Sequence, residues 1–172
     1  MNDFILYEKE KNKLGFSEVF PVKLLSNKNF KNLNKNTLNI ARGSEKNREF
    51  LESKHSDILL DPHLNEVNLG INHILCKIAK DKIIAFSFSN ILNSKNKELE
   101  ISKIKKIVKL CNKYKVKIIF ASFAQKESER RNASQLKALA RILGINSKQK
   151  FNPEKYLKEK KAIVIKGIKR VE

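Results

Sequence analysis

The sequence predicts an α/β fold with mainly parallel strands. The strongest observation is a strand, a loop, a helix and a second strand in succession between residues 57 and 89. The apolar run that opens this segment ends in Asp61-Pro62-His63, and a second apolar run covers 83–89. Between them, apolar residues recur at offsets 0, +3, +4 and +7, namely Ile71, Ile74, Leu75 and Ile78. This βαβ unit requires parallel strands with the helix on one face. Further strands and helices alternate along the chain, which is typical of the same class.

Three short strands are predicted before this unit, at 4–7, 17–25 and 37–41. Pro21 within the second of them indicates a bulge or a sheet edge. The Lys- and Asn-rich stretch 30–35 predicts a loop. Ser44 has the character of a helix N-cap with Glu45 in the first turn, so a short helix is predicted from there to Ser53.

Two longer helices and two strands are predicted after the unit. A helix over 98–114 carries one apolar stripe, formed by Ile101, Ile104, Ile107, Val108, Cys111 and Tyr114. Its other face carries Lys106, Lys109 and Lys113, which are expected to be solvated. A strand covers 116–121, and the capping box that begins at Asn132 opens a helix that ends at Gly144. A polar segment follows from Pro153, and the run 162–165 predicts a last strand.

Composition favours a basic, folded domain over 1–172. The chain holds 37 Lys and Arg against 18 Asp and Glu, a net charge of +19, and such a surplus attracts polyanions such as RNA. Lys outnumbers Arg 31 to 6, so part of the excess is generic surface charge and each Arg is more informative than a Lys. There is no signal peptide and no apolar run long enough to span a bilayer, so we expect a soluble, cytoplasmic protein that does not bind membranes. Cys76 and Cys111 lie on apolar helix faces and are predicted to be buried thiols.

The βαβ segment, the helix and strand at 98–121 and Arg131-Asn-Ala-Ser-Gln-Leu136 resemble the archaeal ribonuclease P protein component 3 family and its eukaryotic counterparts. The resemblance implies a (β/α) TIM-like barrel of the phosphoesterase-like superfamily that lacks the metal-binding histidines. This barrel would be truncated or incomplete, because the first βα unit of the family has no counterpart here and the strands are too few for eight units. Two positions depart from the family: Asn72 replaces an aspartate, and Ser89 stands where Lys or Arg is usual.

The resemblance also implies a function. Members of the family are protein subunits of ribonuclease P, an endoribonuclease holoenzyme in which a catalytic RNA, expected to need Mg²⁺, matures the 5′ end of precursor tRNA. Expected partners are the ribonuclease P RNA, protein component 2 and, indirectly, precursor tRNA. The chain itself is expected to be non-catalytic and to bind no cofactor or metal. A strand at 4–7, or its neighbour strand, without a covering element would leave an open edge, which predicts self-association or a complex with component 2.

Five residues are predicted to contact RNA: Arg42, Lys77, Lys126, Arg130 and Arg131. Arg42 ends a strand just before a helix, and Arg130 and Arg131 precede another helix, which are natural places for a phosphate. Helix-capping or ion-pair roles are the alternatives for Arg42 and Arg131. For His63 and His73, both a phosphate contact and a structural hydrogen bond remain open.

Two other functions stay open at this point. Asp61 and His63 lie at the carboxyl end of a strand, where barrel enzymes place their sites, so a metal-dependent phosphoesterase is one alternative. Neither a His-x-His motif nor a second acidic cluster accompanies them. The other alternative is a basic protein associated with ribosomes or tRNA.

Overall fold

The computed structural model describes residues 1–7, 14–25, 30, 33–34, 36–64, 69–145 and 151–168, the last eight of them by their backbone alone. Its strands are β1 (Asp3–Ile5), β2 (Val19–Pro21), β3 (Ile40–Arg42), β4 (Ile58–Leu60), β5 (Ile83–Ser87) and β6 (Lys117–Ala121). Its α-helices are α1 (Asn47–Glu52), α2 (His73–Ile78), α3 (Phe88–Asn93), α4 (Lys97–Tyr114), α5 (Ala133–Ile142) and α6 (Pro153–Ile168). Two short 3₁₀ turns cover Ala79–Asp81 and Glu127–Glu129.

Every paired strand is parallel, as predicted. Four strands form one sheet in the order β3-β4-β5-β6, and β1 pairs with β2 in a second sheet. A backbone hydrogen bond connects the two sheets at each end of the four-stranded sheet. Leu6 N donates to Ala124 O just after β6, and Leu25 N donates to Ile40 O of β3, both at 2.8 Å. The described strands therefore form a mixed α/β fold with two parallel sheets, and they do not complete the closed TIM-like barrel.

The first strand is covered on both sides. β1 pairs with β2, and Ile5 bridges to Ala124 beyond the end of β6. All three residues of β1 are buried. The prediction of an open edge at 4–7 is therefore wrong, because the chain after β6 occupies that edge.

The central strands β4 and β5 are buried on both faces. Leu59 packs into a core that lies beneath the helices, whereas its neighbours Ile58 and Leu60 pack into a second core on the other face. The second core includes Phe4, which stacks on Phe20 at 5.8 Å and on Phe123 at 5.6 Å between ring centroids. Burial of both faces explains why these strands read as continuous apolar runs and not as alternating ones.

The two long predicted helices after the βαβ unit are confirmed. α4 buries Ile104, Ile107, Val108 and Cys111. In α5 both hydrogen bonds of the capping box are present: Gln135 N donates to Asn132 Oδ1 at 3.0 Å, and Asn132 N donates to Gln135 Oε1 at 3.3 Å. Cys76 and Cys111 are both fully buried, as predicted.

Two predicted helix features near α1 and α2 are wrong. α1 begins at Asn47 and not at Ser44: residues 44–46 form a turn in which Ser44 Oγ accepts from Lys46 N at 3.2 Å and Ser44 O accepts from Asn47 N at 3.0 Å. In the short helix α2, Ile74 is 50% exposed, and Cys76 faces the core in its place.

Two predicted strands differ from the structure. The strand at 83–89 ends at Ser87, whose side chain accepts a hydrogen bond from Asn90 N and so caps the additional helix α3. The run 162–165 lies within α6 and is not a strand. The first half of α6 contacts Asp57, which directly precedes β4. The Asp57 carboxylate forms an ion pair with Lys160 Nζ at 2.7 Å and accepts a hydrogen bond from Tyr156 Oη at 3.1 Å. No helix in the described part of the chain has the length and apolarity needed to cross a bilayer.

Candidate nucleic-acid interface

Polar residues gather where β3, β4, β5 and β6 end. Because these strands are parallel, their carboxyl ends lie along one edge, and binding sites of α/β proteins are commonly found there. We call this region the carboxyl edge; it comprises Arg42, Gly43, Asp61, His63, Ser87 and Ser122, of which Arg42 is half-buried and the others are buried. Two of the predicted site residues, Arg42 and His63, belong to it.

Buried hydrogen bonds join neighbouring strands along the carboxyl edge. The Asp61 carboxylate accepts from Ser87 N at 2.8 Å and from Ser87 Oγ at 2.5 Å, which connects β4 to β5. Ser89 Oγ donates to Phe123 O at 3.0 Å. The Asp3 carboxylate accepts from Ser122 N and Oγ, both at 2.8 Å, which connects β1 to the end of β6. These hydrogen bonds hold the ends of neighbouring strands together.

The backbone is strained at two points of this edge. Asp61 and Phe123 have φ angles of 50° and 42°, in the left-handed region that residues other than glycine avoid. Each such residue costs on the order of 1–3 kcal/mol and persists only where its surroundings hold it in place. Gly43, which follows β3, lies against the backbone of Asp61. A Cβ at this glycine would come within 2.1 Å of Asp61 O. The ends of β3 and β4 thus approach so closely that only glycine fits.

Asp61 has an unusual acidity. Burial raises the pKa of its carboxyl from 3.8 to about 7, although the hydrogen bonds from Ser87 and the positive charge of Arg42 act in the opposite direction. Near neutral pH this carboxyl is therefore divided between its neutral and charged forms. The net charge beside Arg42 consequently depends on pH.

Arg42 offers a donor without an acceptor. Its side chain is half-buried, and its Nε–H is buried and finds no hydrogen-bond acceptor among the described residues. Leaving such a donor unsatisfied costs about 1–3 kcal/mol. Guanidinium groups match phosphate oxygens in both charge and geometry. The position is thus suited to the phosphate contact predicted from the sequence, and that contact stays a prediction.

His63 has a structural partner. Its Nε2 hydrogen-bonds the Glu100 carboxylate of α4, which also accepts from Asn90 Nδ2. Burial lowers the pKa of the His63 imidazole, although the charge of Glu100 and its hydrogen bond oppose this shift. His63 Nδ1 is buried and has no hydrogen-bond partner among the described residues. Of the two predicted roles, the structural hydrogen bond is the one the structure shows.

Asp61 and His63 do not form a metal centre together. Asp61 is hydrogen-bonded to Ser87, whereas His63 turns toward Glu100. Among the residues that the structure describes, no group of three or more His, Cys, Asp or Glu side chains is placed to hold a metal ion. The phosphoesterase alternative therefore gains no support from the geometry, because that chemistry needs several converging ligands.

The loop after β6 holds three of the predicted RNA contacts in different situations. Lys126 is exposed. Arg131 is half-buried: its guanidinium lies 5.4 Å from the Phe88 ring centroid, and its Nη1 donates to the carbonyls of Ser128 and Arg130. The side chain of Arg130 is only 1% exposed, and its Nε lies 3.8 Å from the Asp3 carboxylate. The prediction for Arg130 is corrected accordingly, since a buried guanidinium beside a carboxylate braces the loop and cannot reach RNA.

The remaining predicted residues lie on α2. His73 opens this helix and Lys77 lies in its last turn; both are exposed. Asn72, which replaces the aspartate of the resembled family, caps α2 by accepting from Leu75 N at 2.9 Å. Lys77 lies at the far end of the sheet from Arg42, because α2 runs from the carboxyl end of β4 back to the start of β5. The structure therefore does not bring all predicted contacts into one surface.

Three residues of this edge were missed by sequence reasoning. Ser87, Asn90 and Glu100 complete the hydrogen bonds of Asp61 and His63, yet none belongs to a recognisable motif. The only available signal was the spacing Ser87-x-x-Asn90, which fits an N-cap and its third helical residue. Glu100 gave no signal, because its role depends on how α4 packs against the loop after β4.

Comparison with known proteins links part of the chain to one group. No family model matches the chain. It is 36% identical over 84 residues to ribonuclease P protein component 3 of Methanococcus maripaludis strain S2 and 34% identical to that of strain C5. The protein of the same name from Methanococcus vannielii is 28% identical over 82 residues. The match covers 45% of this chain but only 35–36% of the length of these relatives. Over that part, the chain is similar to ribonuclease P protein component 3.

Proposed function

We propose that this chain is a protein subunit of ribonuclease P that binds the catalytic RNA and assists 5′ maturation of precursor tRNA. The observation that carries the proposal is the similarity to ribonuclease P protein component 3 in two Methanococcus species. In this assembly the RNA is the catalyst, and the chain contributes no catalytic group of its own. The partners would be the ribonuclease P RNA, protein component 2 and, through the RNA, precursor tRNA.

The chemistry of the carboxyl edge supports RNA binding. Arg42 is half-buried at the end of β3, and Lys126 and Arg131 lie on the loop after β6. Phosphate oxygens are acceptors for such side chains, and contacts of this kind position a protein on RNA without reading its sequence. The net charge of +19 adds a long-range attraction for the same backbone. By neutralising phosphates, the chain would lower the Mg²⁺ concentration at which the RNA holds its catalytic fold.

The fold fits this proposal as an incomplete barrel. Six parallel strands lie in two sheets that are linked by the Leu6–Ala124 and Leu25–Ile40 hydrogen bonds. We propose that this arrangement is a reduced form of the (β/α) barrel that the sequence resembles. Its carboxyl edge then corresponds to the face where barrels place their functional sites.

Reconstitution tests the proposal. Ribonuclease P RNA and component 2 from the source cell are mixed with this chain, and 5′ cleavage of precursor tRNA is followed across a Mg²⁺ titration. The chain should shift the titration to lower Mg²⁺, and Arg42→Ala should weaken that shift. Arg141→Ala is the matched control, because Arg141 is exposed on α5 and away from the carboxyl edge. An unchanged Mg²⁺ titration would contradict the proposal.

A second measurement separates this function from the alternatives. RNA captured with the tagged chain from its native cell is sequenced, and the ribonuclease P RNA should be enriched. Capture of ribosomal RNA or mature tRNA alone would indicate a different basic RNA-associated protein. Hydrolysis of a chromogenic phosphodiester by the purified chain with Mn²⁺, abolished by His63→Ala, would indicate a phosphoesterase.

A further inference from the structure

We infer that the chain has a second phosphate-binding surface at the C-terminal ends of α2 and α4, and that it uses this surface to bridge two segments of RNA. The surface is a cavity of about 440 Å³ lined by Lys77, Lys80, Lys113, Tyr114 and Lys115, which we call the lysine pocket. This inference rests on the proposed function, because it takes RNA as the partner of the carboxyl edge.

Four positive charges converge in the lysine pocket without a carboxylate in its lining. All four lysines are exposed, and none forms an ion pair with another described residue. A lysine in the last turn of a helix interacts favourably with the helix dipole, which explains the positions of Lys77 and Lys113. Lys80 lies in the 3₁₀ turn Ala79–Asp81 and Lys115 is the C-cap of α4, so four like charges line one cavity and repel one another. A polyanion would relieve that repulsion.

The aromatic residue of the pocket indicates which part of RNA is bound. Tyr114 is half-buried, and Lys113 Nζ lies 5.9 Å from the centroid of its ring. A ring face that carries an ammonium group is not free to stack on a base. Recognition of single-stranded RNA relies on such stacking, whereas duplex RNA is bound through its backbone. The lysine pocket is therefore suited to the phosphates of a duplex.

The position of the pocket separates it from the carboxyl edge. Ala79–Asp81 and Lys115 directly precede β5 and β6, so the pocket lies at the amino ends of the strands. Arg42 lies at the carboxyl end of β3. α4 has 18 residues and connects the two ends, which corresponds to roughly 27 Å at 1.5 Å per residue. The two places therefore lie at opposite ends of the parallel strands, which suits them to separate segments of RNA.

Energy transfer between two RNA duplexes tests the bridge. One short duplex carries a donor dye and the other an acceptor, and the full chain should raise the transfer between them. Lys77, Lys80, Lys113 and Lys115 are replaced together by Gln, which should abolish the transfer while anisotropy still reports binding of one duplex. The matched control replaces Lys105, Lys106, Lys109 and Lys158, which are exposed on α4 and α6 and change the net charge equally. This control should retain the transfer.

Salt dependence gives a second readout. Each lost phosphate contact lowers the slope of log affinity against log salt by about 0.9, so the pocket variant should lose more slope than the control. Equal transfer and equal slopes in the two variants would overturn the bridge and leave the proposed function standing. The same conclusion would follow if the chain bound one duplex without transfer. A chain that bound neither a duplex nor the ribonuclease P RNA would overturn the proposed function itself.

Discussion

Asp61 couples the stability of the protein to pH. The pKa of its carboxyl is 3.8 when unfolded and about 7 when folded, so the folded state holds the proton more tightly. Its contribution to stability is complete below pH 4, falls as the pH rises to 7 and is then constant. The difference corresponds to at most roughly 4 kcal/mol at 1.36 kcal/mol per pH unit. Asp61→Asn should remove this pH dependence, since an amide can still accept from Ser87 N and donate to Ser87 Oγ.

Urea unfolding of both proteins between pH 4 and pH 8 measures this effect. The wild type should lose free energy of unfolding relative to Asp61→Asn as the pH rises through 4–7. Asp3 and His63 also titrate with shifted pKa values, but they contribute equally to both proteins. Parallel curves would show that Asp61 ionises normally in the folded state.

Arg130 should matter for folding and not for RNA. Its buried guanidinium lies beside the buried Asp3 carboxylate, and removing one partner of such a pair costs about 3–5 kcal/mol because the other charge stays buried. Arg130→Met should therefore lower the melting temperature strongly. The slope of RNA affinity against salt, measured below the melting temperature, should not change. A reduced slope in a fully folded variant would restore Arg130 as an RNA contact.

Residue patterns predicted part of the carboxyl edge. Arg42, Asp61 and His63 could be found because each ends or follows an apolar run, and parallel strands bring such positions together. The burial of Arg130 could not be found, because its partner Asp3 lies 127 positions earlier in the chain. The roles of Ser87 and Glu100 depend in the same way on packing between distant elements.

Gly43 should tolerate no side chain. A Cβ at this position would meet the backbone of Asp61 and Pro62 at 2.1 to 2.9 Å, and backbone atoms cannot move aside as a side chain can. Gly43→Ala should therefore destabilise the protein by about 2–4 kcal/mol by forcing β3 and β4 apart. Gly144→Ala is the matched control: its Cβ would find ordinary contact at 3.7 Å, so only the φ angle of +80° opposes it, at about 1 kcal/mol. Equal losses in chemical denaturation would mean that the β3–β4 contact adapts.

Helices with a clear apolar periodicity were predicted well. Elements whose structure depends on neighbouring segments were not. α4 and α5 have clear apolar stripes and caps, so their positions followed from the sequence. α3 was missed because Phe88 extends the apolar run of β5. The run 162–165 is rich in β-branched residues, which favour strands, yet it continues the helix that starts at Pro153. The intrinsic strand preference of these residues is weak, and continuation of the preceding helix overrides it.

Binding of RNA by the whole molecule should be mainly electrostatic. With a net charge of +19 and phosphate contacts at the carboxyl edge, log affinity for the ribonuclease P RNA should fall linearly with log salt. The expected slope is about 0.7–0.9 for each phosphate contacted, depending on whether the RNA is single- or double-stranded. Fluorescence anisotropy across a salt series measures it. An affinity that stays constant from low to physiological salt would contradict this mode of binding.

The pairing of β1 has a consequence for how the protein is made. The Asp3 carboxylate is held by Ser122, 119 positions away, and Phe4 packs on Phe123 and Phe151. During translation β1 therefore cannot form its contacts with residues 122–124 until that segment has left the ribosome. Chains dominated by such distant contacts fold in milliseconds to seconds and not in microseconds. The nascent chain, whose sequence is strongly basic, thus has an unfinished core while it is still surrounded by ribosomal RNA, and stopped-flow refolding can show how long that interval lasts.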